Sequence, residues 1–279
     1  MEKLLVVDGS NLLFQMFYGM PARIVSKQGR PIQGTLGFVG ALLKIIRMTC
    51  PTHVAVLFDG EYESPRAALD PEYKSDRPDY TQMPEEETPF SQLPDIIAAL
   101  DHLGIRYRET TDCEADDWIA GYAKRYGGAL DVVIVSQDSD LYQLITDRVQ
   151  ILRYRGKQTA LCGRAFLRER LGIEPEQYAA HKSLTGDPSD HIRGAEKIGL
   201  KTATALMKQF GDLEHLLANP EQIRKPSIRE SVLRNTERIR TNYRLICLEG
   251  SRTLPFGLEE LEFRDPGLST RQVLKGIGL

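Results

Sequence analysis

Nine acids in this 279-residue chain fall where an open α/β protein would gather them. Asp8 follows the apolar run Leu4-Leu5-Val6-Val7, and Asp59 follows Val54-Ala55-Val56-Leu57-Phe58. Asp138 and Asp140 come just after Val132-Val133-Ile134-Val135. Glu114, Asp116 and Asp117 sit in the first turn of a helical stretch, and Asp187 and Asp190 share the loop Thr185-Gly186-Asp187-Pro188-Ser189-Asp190. In open α/β sheets, ligands bind beyond the carboxyl ends of the strands. Singly, each acid has an ordinary use as a turn residue or as a partner of a helix dipole. On one rim they would repel one another, and divalent metal is the natural way to keep them ionised together. An all-oxygen set without His or Cys suits Mg²⁺ or Mn²⁺ and disfavours zinc. So many carboxylates suggest two ions, which in phosphoryl-transfer sites lie ~4 Å apart and clamp the attacking and leaving oxygens. The five histidines are not at metal-ligand spacing, and no Ser/His/Asp or Cys/His constellation presents itself.

A second signal runs from Arg193 to Ala203: Arg193-Gly194-Ala195-Glu196-Lys197-Ile198-Gly199-Leu200-Lys201-Thr202-Ala203. A glycine hairpin opening onto a helix capped by Thr202 exposes backbone N–H groups at a helix N-terminus, a ready phosphate site. Lys182, Arg193, Lys197, Lys201 and Lys208 surround it. The motif alone leaves open a plain helix–helix turn with solvated lysines.

The elements that must position these residues follow from periodicity. Lys3–Val7, His53–Phe58, Ile105–Tyr107 and Asp131–Val135 are strand-like, the first leading to a helix capped by Ser10 or Asn11. Thr35 is expected to cap a stripe of Leu36, Val39, Leu42, Leu43 and Ile46, with Gly34, Gly37 and Gly40 as helix-packing positions rather than a phosphate loop. Phe90–Leu103 is amphipathic and closed by Gly104; Glu114–Tyr126 is helical. Residues 60–89 break the pattern with five prolines (65, 71, 78, 84, 89), which predicts a functional lid or a disordered insertion. Helices are expected over Glu176–Leu184, Lys201–Phe210, Leu213–Ala218 and Ser227–Tyr243. Alternating strands and helices imply a right-handed, mostly parallel twisted sheet with helices on both faces. The expected division is an α/β domain over 1–175 with a distinct segment at about 60–90, a helical subdomain over 176–245, and a tail over 246–279 returning to the sheet.

Composition is that of a soluble globular chain: 41% hydrophobic, 27% charged, 8% aromatic. No apolar run reaches the ~20 residues that span a bilayer, and Met1 leads straight into a strand-like segment without a signal peptide. Cys50, Cys113, Cys162 and Cys247 are scattered, which reads as reduced thiols in a cytoplasmic protein. A net charge of −3 speaks against nucleic acid only if the acids are spread evenly. Setting aside the nine clustered carboxylates turns −3 into +6 for the remainder.

With these motifs in place, the sequence resembles the 5′-nuclease (flap endonuclease) family, and within it the 5′→3′ exonuclease domain of bacterial DNA polymerase I. The resemblance rests on an ordered set of stretches across roughly residues 3–260: LLVVDGSNLLF, VLFDG, PRAALDPEYKSDRP, ETTDCEADDWIA, IVSQDSDLYQLI and YAAHKSLTGDPSDHIRGAEKIGLKTATALMKQFGDLEHLL. No polymerase domain follows, so the expectation is a stand-alone member. The resemblance implies a PIN-like or resolvase-like α/β fold with a helical helix-hairpin-helix (helix–three-turn–helix) subdomain. It also implies a metal site of Asp8, Asp59, Glu114, Asp116, Asp138, Asp140 and Asp187, with Asp117 and Asp190 in supporting or second-metal roles. Lys74 and Arg77 match the YKxxR of the arch that reaches the scissile phosphate, and Arg66 matches the arginine upstream. The hairpin, with Arg193, Gly194, Lys197, Gly199, Lys201 and Thr202 and with Lys182 nearby, matches the module that grips duplex backbone.

The implied activity is structure-selective, metal-dependent hydrolysis of DNA, leaving 5′-phosphate and 3′-hydroxyl, in replication or repair. The implied cofactors are two Mg²⁺ ions, with Mn²⁺ able to substitute, and K⁺ in the hairpin. The implied partner is flapped, nicked or 5′-end-containing duplex, bound by a monomer with no membrane. The sequence departs from the family twice. Lys197-Ile198-Gly199 stands where Gly-Ile-Gly is usual, and residues 61–87 carry nine acids against Arg66, Lys74 and Arg77 where a basic arch is expected. Two alternatives bracket this reading. A PIN-like ribonuclease would share the rim acids without the hairpin and arch; a non-catalytic branched-DNA binder would gain nothing from repulsive carboxylates.

Overall fold

The structure, a computed structural model, describes residues 2–60, 65–76, 78 and 80–279. Six strands form the main sheet: β1 (Lys3–Asp8), β2 (His53–Phe58), β3 (Arg106–Glu109), β4 (Asp131–Val135), β5 (Val149–Arg153) and β6 (Ala160–Cys162). Their order is β3-β2-β1-β4-β5-β6, parallel except for β6, which returns antiparallel on β5. Strand order reverses between β1 and β4, the point at which a doubly wound sheet opens a ligand crevice at its carboxyl edge.

The side-chain alternation of the strands splits the core in two. Leu4, Val6, Ala55, Leu57, Val132 and Ile134 face one side, against Trp118, Ile119 and Tyr122 of α4 (Ala115–Tyr126). Leu5, Val7, Val54, Val56, Phe58, Val133 and Val135 face the other. That second face is covered by α2 (Gln33–Thr49), α3 (Leu93–Leu103) and α1 (Gly9–Gly19), with Val273 of the C-terminal α11 (Thr270–Gly276). Gly34 and Gly37 are packing positions, as their spacing suggests: a Cβ at Gly37 would stand 3.0 Å from Met16, and one at Gly34 would stand 3.2 Å from Phe17.

The remaining helices are α5 (Arg164–Arg170), α6 (Tyr178–Thr185), α7 (Leu200–Phe210), α8 (Leu213–Ala218), α9 (Pro226–Arg234) and α10 (Thr236–Ile246). Most of their apolar residues, among them Leu206, Met207, Phe210, Leu216, Val232 and Ile239, join the core beneath α4, while Ala179 of α6 and Leu245 and Ile246 of α10 form a small separate cluster with Tyr73 and Ile192. A two-stranded hairpin, β7 (Gly186–Asp187) and β8 (Ile192–Arg193), bridges α6 and α7. After α10 the chain returns to the sheet, where Phe263 N–H donates to Thr52 O at 2.8 Å.

Several local expectations are corrected. Asp8 itself caps α1, accepting from Asn11 N–H at 2.9 Å, because β1 runs into the helix with no loop between them. Thr35 is inside α2 rather than capping it; it is buried, and its N–H donates to Gln92 at 2.9 Å. Gly199, not Thr202, is the N-cap of α7. The single helix expected over 227–243 is two, broken at Asn235, whose side chain donates back to Ser231 O at 2.9 Å and competes with the helical ladder. Where described, residues 65–92 have local structure of their own in place of a disordered insertion. They form turns and three single-turn 3₁₀ segments, Tyr80–Gln82, Glu85–Glu87 and Pro89–Gln92, as closely spaced prolines dictate.

Candidate metal centre and nucleic-acid interface

The nine acids divide into three groups. Asp8, Asp59, Asp116 and Asp138 line one cavity at the carboxyl edge of β2, β1 and β4, together with Lys74, Phe14, Tyr80 and Phe90. Hydrogen bonds position three of them. Asp8 Oδ2 accepts from Ser136 Oγ at 2.7 Å, and Ser136 Oγ accepts from Asp138 N–H at 3.0 Å. Asp59 Oδ1 accepts from Ala115 N–H at 2.8 Å, at the N-terminus of α4, where the helix dipole favours a carboxylate. Asn11 Oδ1 accepts from Gln137 N–H at 2.9 Å and ties the ends of β1 and β4 together.

The cavity is hard on its charges. Burial, then Asp59, pushes Asp8 up to about 7, although the Asn11 amide and Ser136 hydroxyl pull the other way. Burial, then Asp138, Asp8 and Asp59, drives Asp116 well above the usual carboxylate range. An arrangement that holds its carboxylates in hydrogen-bonded positions while penalising their charge fits a divalent cation bound by oxygen.

The second group is Asp140, Asp187 and Asp190, whose ligand oxygens lie within 4.8 Å of one another. Asp140 begins a 3₁₀ turn after β4, and its N–H donates to Asp138 Oδ1 at 2.8 Å, which links the two groups. Asp187, at the end of β7, accepts from Ser189 N–H at 2.9 Å and Ser189 Oγ at 2.6 Å. Lys182 is here, buried, rather than among the DNA-binding cations around the hairpin where the sequence reading places it. Its ammonium donates to Asp140 Oδ1 and pairs with Asp187 Oδ2 at 2.5 Å. Burial pushes Asp140 up, Lys182 pulls it back and Asp138 opposes that, leaving it at about 7. For Asp187 burial also presses upward, but Lys182 and Ser189 bring it below the usual range.

Glu114 and Asp117 form the third group, turned toward the segment before the cavity. Arg66 forks onto both, Nη1 to Glu114 at 2.6 Å and Nη2 to Asp117 at 2.6 Å. Lys74 Nζ reaches Glu114 Oε2 at 2.8 Å, and the buried Tyr73 hydroxyl donates to the same oxygen at 3.3 Å. Glu114 and Asp117 also form the capping box of α4. Burial works against the Arg66 charge, and Glu114 and Asp117 more than restore it. Lys74 holds a left-handed φ of 56°, a conformation that costs a non-glycine residue about 1 kcal/mol or more. Arg77 lies outside the described residues.

The hairpin presents its cations outward: Arg193, Lys197 and Lys201 are exposed, as is Gly199, with no atom near the position of a Cβ. Gly194 is required by packing, since a Cβ there would stand 2.2 Å from Thr185 O. Lys197 keeps a φ of 65°, so the turn that glycine usually makes is made here by lysine. Asn242 of α10 donates to Ser183 O at 2.9 Å and Arg193 O at 2.8 Å, fastening the hairpin to α6. Residues 72–76 are clipped to the same loop: Lys74 N–H donates to Asp190 O at 3.1 Å, His191 contacts Asp76 at 3.0 Å, and Arg193 reaches Glu72 at 3.2 Å.

A family model described as the 5'-3' exonuclease N-terminal resolvase-like domain matches residues 3–172, and one described as the 5'-3' exonuclease C-terminal SAM fold matches residues 173–268. The chain belongs to the 5'-3' exonuclease family. Among relatives of this exonuclease-family chain, the thermostable DNA polymerase I of Thermus thermophilus is 34% identical over 268 residues, covering 95% of this chain and 30% of that protein. The chain thus spans about 30% of the length of that polymerase relative. The 5'-3' exonuclease of Aquifex aeolicus is 29% identical over 271 residues, covering 96% and 89%. A solved bacteriophage T5 flap endonuclease, in a pseudo-enzyme-product complex with DNA and metal ions, superposes with TM-score 0.72 at 25% identity over 88% of this chain and 89% of its own. The catalytic core of Rad2 with DNA substrate shares the fold at TM-score 0.63 and 16% identity, covering 99% and 87%. Among the described residues, no helix is long and apolar enough to cross a membrane.

Proposed function

We propose that this exonuclease-family chain is a structure-selective, divalent-metal-dependent DNA 5′-nuclease, a flap endonuclease and 5′→3′ exonuclease that leaves 5′-phosphate and 3′-hydroxyl ends. The observation that carries the reading is the cavity of Asp8, Asp59, Asp116 and Asp138 at the switch point of the sheet, with Lys74 on its rim and Asp140, Asp187 and Asp190 beside it. The named partners of the solved relatives, DNA and metal ions, support the same substrate class.

The all-oxygen donor set suits Mg²⁺, with Mn²⁺ as substitute: one ion held by the four-carboxylate cavity and a second by Asp140, Asp187 and Asp190. Bound there, divalent ions supply Lewis acidity and lower the pKa of a water that attacks phosphorus. The chain's own groups do the rest. The carboxylates set the donor positions, and Lys74 leaves Glu114 to meet a non-bridging phosphate oxygen as charge develops on it. Arg66 keeps Glu114 and Asp117 oriented. Lys197, Lys201 and the Gly199 amide at the start of α7 hold the duplex phosphates, and the hairpin backbone would hold K⁺ there. On this reading residues 1–175 are the catalytic domain with its arch at about 60–90, residues 176–245 are the duplex grip, and residues 246–279 are the returning tail, in a monomeric cytoplasmic protein.

The test is cleavage of 5′-flap, single-stranded and duplex DNA, and of RNA, each with Mg²⁺, Mn²⁺ or EDTA. Flap DNA is cut in either metal and in none of the EDTA reactions. Cleavage confined to RNA would replace this reading with a PIN-like ribonuclease.

A further inference from the structure

We propose that Lys182 is a tethered cation that occupies the second carboxylate group in the metal-free protein, so that an ion enters there only by displacing it. The inference rests on the two-ion reading above and concerns one of its two sites.

Lysine is seldom fully buried unless paired, yet Lys182 is 8% exposed in the middle of α6. Its neighbours Ala179, Ala180, Ser183 and Leu184 are buried as well, so α6 directs this side chain inward. The ammonium contacts Asp140 Oδ1, stands 2.5 Å from Asp187 Oδ2 and 3.4 Å from Ser139 Oγ. Asp140 and Asp187 supply two of the three ligand atoms gathered within 4.8 Å. A magnesium ion bridging them would sit ~2 Å from each oxygen. That is the volume the Nζ atom fills. Ammonium and ion exclude each other both by space and by like charge.

The displaced ammonium has somewhere to go. The Tyr178 ring centroid lies 6.0 Å from Nζ, and the Ser139 hydroxyl is close by, so a rotation of the flexible stem keeps the charge against a π face and a polar group. The other group differs. Lys74 lines the cavity of Asp8, Asp59, Asp116 and Asp138, but its ammonium is hydrogen-bonded outside that set, to Glu114. The two ions therefore bind unequally: one tightly in the four-carboxylate cavity, the other weakly against Lys182. The weak site fills when added charge, such as a phosphate backbone, draws the lysine away.

The experiment is Mn²⁺ binding to the full chain without DNA, by titration calorimetry and by electron paramagnetic resonance of free Mn²⁺, on wild type, Lys182→Met and Lys182→Arg. Wild type is expected to show a tight and a weak site. Lys182→Met should tighten the weak site by about tenfold or more, the effect of removing one close like charge, and leave the tight site within about twofold. Lys182→Arg, whose fork can hold both carboxylates at once, should weaken or abolish the weak site. In EDTA the melting temperature of Lys182→Met should fall, and Mn²⁺ should raise it by more than it raises wild type. A weak site of unchanged affinity in Lys182→Met overturns the proposal and makes Lys182 a structural ion-pair partner only. If Lys182→Met fails to fold, Lys182→Arg decides, and a weak site of wild-type affinity there overturns it equally. Tight binding alone in all three proteins removes the second ion from the functional reading, and this inference with it.

Discussion

Replacing Asp8 with asparagine should stabilise the metal-free protein at neutral and alkaline pH while abolishing cleavage. Asp8 is 5% exposed at the end of β1, and burial followed by Asp59 raises its carboxyl from an ordinary 3.8 to about 7. Because the folded value exceeds the unfolded one, the folded state binds more protons between these limits. Its stability therefore falls as pH rises through that window. At 1.36 kcal/mol per tenfold, the gap amounts to about 4 kcal/mol once the pH is above 7, and to nothing below about pH 4. Asparagine is nearly isosteric, keeps an oxygen for the Asn11 amide and carries no charge. For a chain of this length each kcal/mol moves the midpoint by roughly 2–4 °C, so Asp8→Asn should melt about 10 °C higher than wild type in EDTA at pH 8. At pH 4 the two should coincide. Saturating Mg²⁺ should reverse the order, since wild type gains a bound ion that the variant lacks a ligand to hold. Thermal denaturation of both proteins from pH 4 to 9, with EDTA and with Mg²⁺, checks each part. A difference that does not change with pH, or an asparagine variant less stable at pH 8 in EDTA, would refute the claim that the cavity penalises this charge.

Lys74→Ala should lower single-turnover cleavage by about 10²–10³ with little loss of duplex binding, as expected for one donor to a developing phosphate charge; quench-flow kinetics beside a binding titration separate the two. Lys201→Ala should weaken binding to all DNA sequences alike and reduce the slope of log affinity against log salt by about one, measured by fluorescence anisotropy across a salt series. Lys197→Gly should relieve the left-handed backbone and raise unfolding free energy by about 1 kcal/mol in urea titrations, while costing DNA affinity through the lost charge. A stability loss would show that the lysine side chain outweighs the strain.

Local spacing alone makes much of this protein legible. Alternation of the two core faces along β1, β2 and β4, the carboxylates placed at or just after those strands, and the glycine spacing of α2 are each written within one short stretch of chain. They depend on nothing except periodicity and the volume of a side chain. The ordered motifs are likewise local and carry the family resemblance. Tertiary structure decided which carboxylates share a cation. Asp187 comes 47 positions after Asp140 in the chain, yet α6 and the β7–β8 hairpin bring both to one lysine. Arg66 likewise reaches Glu114 and Asp117 across 48 and 51 positions. Lys182 shows the limit most clearly. For a lone lysine in a short helix the ordinary expectation is a solvated or phosphate-facing ammonium, and nothing within α6 itself says otherwise. Its burial follows from the continuous core that seats the helical half against the sheet, which leaves that side of α6 no solvent and offers two carboxylates in its place. A sequence states which charges exist, but the distance between charges remote in the chain is set only when the packed core fixes the helices and strands that carry them.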